Sequence, residues 1–143
     1  MPNLRDWQLA IRDRLAEQFT LDRVFEEGVP ELKLLPHYPG GVIKPYVAIW
    51  HGQRIDGGPG FGALDGVLNS AHRVPFYVEV GAATGSMCLD AAQAVRDLLT
   101  GFRPAGQGEL REDGAPTIRQ PLDMSGVISR YQIPIAFNGI VDL

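Results

Sequence analysis

The sequence is poor in three things on which many functions depend: cysteine, clustered histidine and basic charge. Cys88 is the only cysteine among 143 residues, which excludes an intramolecular disulfide and suits a reducing compartment. The formal net charge is −4, whereas a protein that grips nucleic acid by its phosphates needs clustered Lys and Arg. We therefore expect no DNA-binding activity, but an acidic surface suits a protein past which DNA must slide.

Long apolar runs are also missing. No stretch approaches the ~20 apolar residues that a membrane-spanning helix needs, so we expect no membrane association. Charged residues interrupt the N-terminal segment at Arg5, Asp6, Arg12 and Asp13, and we expect no signal peptide there.

The common signatures of catalysis are absent as well. His37, His51 and His72 stand alone, and the sequence has no HExxH, GxSxG or paired CxxC motif. The glycine run "GGPGFG" lacks the Lys-Ser/Thr of a phosphate-binding loop. We therefore predict no enzyme activity, no metal and no cofactor, and we interpret Cys88 as a small packing residue one position off a helical apolar stripe.

What is present is a regular pattern of apolar residues. A helix is predicted over residues 3–19, with Asn3 as its cap. Its apolar stripe comprises Leu4, Trp7, Ile11, Leu15 and Phe19. A second helix is predicted over residues 86–100, capped by Thr84 or Ser86 and stopped by Gly101. Its stripe comprises Met87, Ala91, Ala94, Val95, Leu98 and Phe102.

Strands are predicted between and after the helices. The strongest candidates are residues 46–50, 72–82 and 127–138. Residues 20–45 favour one or two short strands, "GELRE" another, and the glycine-rich residues 52–71 a long loop. Prolines 75 and 134 indicate sheet edges. We interpret four aromatic residues, Trp7, Trp50, Phe76 and Phe102, as core residues.

This order of elements predicts an α+β fold in a single domain, residues 1–143. The sheet is expected to be mostly antiparallel, with the two amphipathic helices packed on one face and the other face open. Long unpaired strands are normally blunted or paired with another chain, so the open face and edges favour a protein that binds a partner.

Several phrases of the sequence resemble a known family. They are "EEGVP", "PYVAIW", "RVPFYVEV", the helical "VRDLLTGFRPAGQGEL" and the aromatic "SRYQIPIAF". In this order they resemble the tail terminator proteins of long-tailed bacteriophages, also called minor tail or tail-completion proteins. The resemblance extends over nearly the whole chain.

The resemblance implies a structural protein of the virion, assembled in the host cytoplasm. Such proteins form a homohexameric ring on the head-proximal end of the tail tube. The ring stops polymerisation of the tube protein and offers a surface to the head–tail connector or stopper protein. DNA passes through it without specific binding. Its fold is an α+β sheet with helices on one side.

Contact residues cannot be transferred from the family, because no short motif fixes them. From the pattern alone, the loop candidates for contacts are Arg54, Asp56, Phe61 and Asp65. The non-core faces of the predicted strands add Arg73, Glu79 and Arg130, which would face a neighbouring subunit or the lumen. Ordinary solvated charge is the plain alternative for each of them.

Other functions stay open at this stage. One is a head-completion or stopper protein, another small ring component of the phage neck. A second is a small-molecule hydrolase or binding protein that uses the glycine-rich loop and its carboxylates. A third is an interaction module outside viruses that pairs its strands with a partner.

Overall fold

The computed structural model of the chain describes residues 3–52, 55–56, 71–114 and 130–142. Within these ranges the chain forms two helices, α1 (Leu4–Phe19) and α2 (Gly85–Leu99). The strands are β1 (Val24–Phe25), β2 (Tyr46–His51), β3 (Ile55–Asp56), β4 (Ala71–Ala82), β5 (Arg111–Glu112) and β6 (Tyr131–Asp142). The predicted α+β class is confirmed.

Helix α1 begins as predicted. The Asn3 side chain accepts a hydrogen bond from the Asp6 backbone N–H at 2.8 Å, and the Asp6 carboxylate accepts one from the Asn3 N–H at 3.0 Å. This reciprocal pair satisfies two N–H groups that a helix start leaves without partners. The buried stripe of the helix is Trp7, Ile11, Leu15 and Phe19, which packs into the main core.

Helix α2 is capped by Thr84, whose hydroxyl accepts from the Met87 N–H at 3.1 Å. Its buried face is displaced from the predicted stripe and comprises Cys88, Ala91, Ala92, Val95 and Leu99. Cys88 was wrongly placed off the stripe, because positions 88, 92, 95 and 99 follow helical spacing as well as the predicted set does. Gly101, with φ of 81°, follows the helix as predicted.

The sheet has the strand order β1-β2-β4-β6-β5, and β3 pairs with β4 beyond the end of β2. Every pairing is antiparallel except β1 with β2, which is parallel. The two long strands β4 and β6 pair over their full length, from Ala71 opposite Asp142 to Ala82 opposite Tyr131. The mostly antiparallel sheet is thereby confirmed.

Pro75 does not mark an edge, as the sequence had suggested, because β4 lies at the centre of the sheet. Its carbonyl accepts from the Gly52 N–H at 2.9 Å, in the interval between β2 and β3. The Pro75 nitrogen points to the same side of β4 as the Pro75 carbonyl. The missing N–H therefore costs no hydrogen bond between β4 and a regular strand. Pro134 does not mark an edge strand either, because β6 lies between β4 and β5; it stands opposite Glu79 of β4.

The two helices cover one face of the sheet, and the described residues cover about half of the other face. A segment of residues 26–45, here called the covering segment, packs over one end of that second face. It encloses a second core of Leu35, Ile43 and Tyr46, with Phe25, Val29, Leu32 and Ala83 against it. The expectation of a fully open second face is therefore wrong for this end.

Candidate interaction surface

The part of the second face that no described residue covers, here called the open half, is formed by β2, β4, β6 and β5. Side chains alternate between the faces of a strand, so the residues that flank the core positions project here. They are Trp50 of β2, Arg73, Pro75 and Tyr77 of β4, Ala136, Asn138 and Ile140 of β6, and Arg111 of β5.

Two aromatic side chains dominate one end of the open half. Trp50 and Tyr77 are stacked with ring centroids 5.9 Å apart and are 37% and 40% exposed. Beside them is a depression of about 360 Å³ whose lining includes Pro75, Ala136 and Asn138. Large exposed aromatics beside a hollow are typical of protein contact surfaces, because they offer apolar area with few rotamers to immobilise.

Arginine side chains mark the other end of the open half. A groove of about 590 Å³ is lined by Arg103, Glu109, Arg111, Asn138 and Ile140. Arg73 lies on the adjoining strand, directly opposite Ile140 in the β4–β6 register. Arg73 is exposed on the non-core face, which is the face that strand alternation predicted for it.

The segment from Pro104 to Arg111 builds one wall of this groove. The Gly108 N–H donates to the Ile140 carbonyl at 3.0 Å, and the Gln107 side chain accepts from the Asp142 N–H at 3.0 Å. These bonds fasten the segment after α2 along β6 and lead the chain into β5. A connector between the helix layer and the sheet edge therefore shapes part of the exposed surface.

Glu79 and Arg130 were predicted to face outward and do not. Each is 7% exposed, beneath the covering segment. The Arg130 guanidinium donates to the Pro30 carbonyl at 2.7 Å and to the Tyr46 hydroxyl at 3.4 Å. Strand alternation correctly placed both residues on the face opposite the main core. They are nevertheless buried, because the second core occupies that side of the sheet.

These buried groups belong to a polar network around Tyr46. The Gln132 side-chain amide donates to the Tyr46 hydroxyl at 2.9 Å. Burial raises the pKa of Tyr46, which keeps the phenol protonated and able to donate. The network anchors the covering segment to β2 and β6, so its role is structural rather than that of a contact surface.

The remaining contact candidates lie in the glycine-rich region. Arg54, Phe61 and Asp65 are outside the described residues. Asp56 is described as part of the β3 backbone, opposite His72 of β4. The structure thus brings together Arg73 and the unpredicted Trp50, Tyr77, Arg103 and Arg111. Trp50 was wrongly interpreted as core; its position one step from the buried Ile49 was the signal for the opposite face.

Cys88 and His51 are two buried or half-buried ionisable residues whose surroundings the structure defines. Burial raises the pKa of Cys88 to about 11, so its thiol stays protonated and is a poor nucleophile. His51 Nε2 lies 3.8 Å from the Glu26 carboxylate, which also pairs with Arg5 at 2.9 Å. That cluster ties α1 to the strand layer. No set of three potential metal ligands occurs in the described ranges.

Helix α1 and helix α2 are also too short or too polar to cross a bilayer: across the described part of the chain, no helix meets the length and apolarity that a membrane span requires.

Comparison with known proteins supports the fold alone. No family model and no curated protein matches the sequence. Solved structures do match. One of them, whose name states no function, has a TM-score of 0.50 and 13% sequence identity, over 97% of this chain and 92% of that chain. The chain is therefore similar in fold, over almost its whole length, to a protein of comparable size.

Proposed function

We propose that the chain is a tail terminator of a long-tailed bacteriophage. In this role it forms a homohexameric ring on the head-proximal end of the tail tube, stops addition of further tube protein, and provides the surface to which the head–tail connector or stopper protein joins. The protein performs no reaction and needs no cofactor. It acts in the virion, after assembly in the host cytoplasm.

The observation that carries the proposal is the open half. Its stacked Trp50 and Tyr77, with the neighbouring depression, form an exposed aromatic surface on the side of the sheet opposite the helices. A contiguous exposed apolar patch in a small protein favours binding to another protein. The resemblance of the sequence to tail terminators then suggests which partners bind this surface, namely further copies of the chain, the tube protein or the head–tail connector.

The charge balance agrees with a channel for DNA. The sequence holds 17 acidic and 13 basic residues. A ring of such subunits repels phosphate, and double-stranded DNA can therefore pass without adhering to the wall.

Electron microscopy tests the proposal directly. Purified chain is imaged alone and after mixing with tail tubes assembled from the tube protein of the same genome. We expect six-fold rings with an open centre, density at one end of each tube, and shorter tubes when the chain is present during growth. Density only on the head-side connector would instead indicate a stopper protein, and a monomer indifferent to tubes would contradict both roles.

A matched pair of variants connects the open half to this activity. Trp50→Ser combined with Tyr77→Ser removes the stacked pair from the surface, and we expect loss of rings or of tube capping. Leu34→Ser is the control, because Leu34 is 66% exposed on the covering segment, away from the open half. Circular dichroism verifies that both proteins are folded. If the double variant caps tubes as well as the Leu34 variant does, the open half is not the surface that forms rings or binds tubes.

A further inference from the structure

The outer face of helix α2 carries a stripe of exposed residues, within which the Gln93 side-chain amide donates to the Asp97 carboxylate at 2.8 Å. The stripe comprises Ser86, Leu89, Asp90, Gln93 and Asp97, all exposed. Leu89, 52% exposed, is its one large apolar residue. Asp90 and Asp97 are its charges, and both are negative.

This stripe points away from the open half. Helix α2 packs on the helix-covered face of the sheet through Cys88, Val95 and Leu99, whereas the open half lies on the opposite face. The two surfaces are different in chemistry and face in opposite directions. They therefore meet the requirement for head-to-tail contacts, in which one patch of a subunit binds another patch of the next.

The stripe on α2 is acidic, whereas the groove of the open half is lined by two arginines, Arg103 and Arg111, and one carboxylate, Glu109. Among the described residues, no carboxylate forms an ion pair with Arg73 or Arg111. Within the same ranges, no basic side chain forms one with Asp90 or Asp97. Asp113, a carboxylate that lines the depression, already accepts a hydrogen bond from the Asn138 amide at 2.9 Å.

The spacing along the two surfaces also agrees. Leu89 and Asp97 are eight residues apart, or about 12 Å along a helix. Tyr77 and Arg73 are four residues apart on β4, or about 13 Å along a strand. A helix laid along β4 thus places its leucine at the aromatic depression and its carboxylate at the arginines simultaneously.

We infer that the partner of the open half is helix α2 of a second copy of this chain. Leu89 of one subunit enters the depression beside Trp50 and Tyr77 of the next, while its Asp90 and Asp97 face the neighbour's Arg73 and Arg111. The contact repeats from subunit to subunit and closes as a ring. This assignment rests on the proposed ring and specifies which surfaces form it.

Charge exchange between the two surfaces tests the contact. The helix variant is Asp90→Arg with Asp97→Arg, and the sheet variant is Arg73→Asp with Arg111→Asp. Either variant alone places like charges opposite each other, and we expect its self-association constant to fall by about 100-fold. In a mixture, each variant's helix is complementary to the other's sheet, so we expect assemblies of equal stoichiometry. Sedimentation velocity and native mass spectrometry measure both results.

The control variant makes the same charge change on the other helix. Asp13→Arg with Glu17→Arg alters two exposed carboxylates of α1, and we expect self-association like that of the unchanged chain. Thermal unfolding verifies that every variant is folded.

The outcomes separate this inference from the proposed function. If the unchanged chain forms rings but the helix variant assembles equally well, the contact is wrong and the ring proposal stands. If only the sheet variant fails, the open halves of two copies bind each other, which also overturns the inference. If the unchanged chain stays monomeric with and without tail tubes, both the ring and this contact are rejected.

Discussion

Gly81 shows how closely single positions of this chain are specified. It lies on β4 opposite Tyr46, and an added Cβ would overlap the Tyr46 ring. Because the buried hydroxyl holds Tyr46 in its hydrogen-bond network, the ring has little freedom to move. We expect Gly81→Ala to lower the free energy of unfolding by about 1–3 kcal/mol, as overpacking of a core does.

Urea unfolding measures this effect. Gly85→Ala is the matched control, since an added Cβ at Gly85 meets nothing within 4 Å and the position begins helix α2. We expect no loss of stability there. If both replacements change the free energy of unfolding equally, the Tyr46 ring moves to make room for the added methyl group.

His51 gives the fold a dependence on pH. Burial lowers its pKa, and the Glu26 carboxylate opposes this only in part. The unfolded chain therefore binds a proton more readily below about pH 6.5, so the stabilisation is complete above that pH and is lost as the pH falls. We expect unfolding free energy to decrease from pH 7.5 to 5.5, by less than about 1.4 kcal/mol per pH unit from this one group.

His51→Gln should flatten part of that slope in urea titrations at several pH values. Leu34→Gln, at an exposed position of the covering segment that carries no ionisable group, is the control and should keep the slope of the unchanged chain. An identical slope in the His51 variant would mean that other groups cause the dependence.

Residue roles that depend on local spacing could be predicted from the sequence. Roles that depend on contacts with residues far away in the sequence could not. Asn3 and Thr84 cap their helices as expected, because a cap involves only the next three residues. Glu79 and Arg130 are buried by a segment many residues away. Strand alternation gives the side of the sheet but not what covers it.

At the scale of elements, the two helices and the long strands were predictable because each carries its own period. Residues 20–45 carry no such period. Their conformation depends on packing around Tyr46 and on the two-residue parallel pairing of β1 with β2. The position of Pro75 was wrongly predicted for a related reason. Pro75 is accommodated on the central strand β4 by the gap between β2 and β3, and the sequence of β4 alone does not reveal that gap.

Helix α2 depends on its cap in a measurable way. Thr84→Ala removes the acceptor for the Met87 N–H, and we expect a loss of about 1 kcal/mol in unfolding free energy. Thermal or urea unfolding measures it, with Thr100→Ala at the exposed C-terminal end of the same helix as the control. If both variants lose the same stability, the hydroxyl of Thr84 is not the stabilising feature.

At the scale of the whole molecule, the sheet divides the chain into two chemically different sides. One side is closed by two helices over the main core, and the other combines a buried polar network with an open aromatic and arginine-bearing half. The α+β layer could be predicted, because amphipathic helices must bury a stripe against the sheet. The division of the second side could not, since it depends on how an irregular segment folds back.

The acidic balance of the whole molecule leads to a prediction about DNA. A net charge of −4 per chain, multiplied around the ring that we propose, opposes the counterion release that drives non-specific DNA binding. We expect no change in the fluorescence anisotropy of a short labelled duplex at about 50 mM salt, where phosphate contacts are strong. Polylysine at the same salt is the positive control. Binding that weakens steeply as salt rises would mean that basic side chains gather on one surface, and would contradict the proposal that DNA passes the protein without being bound.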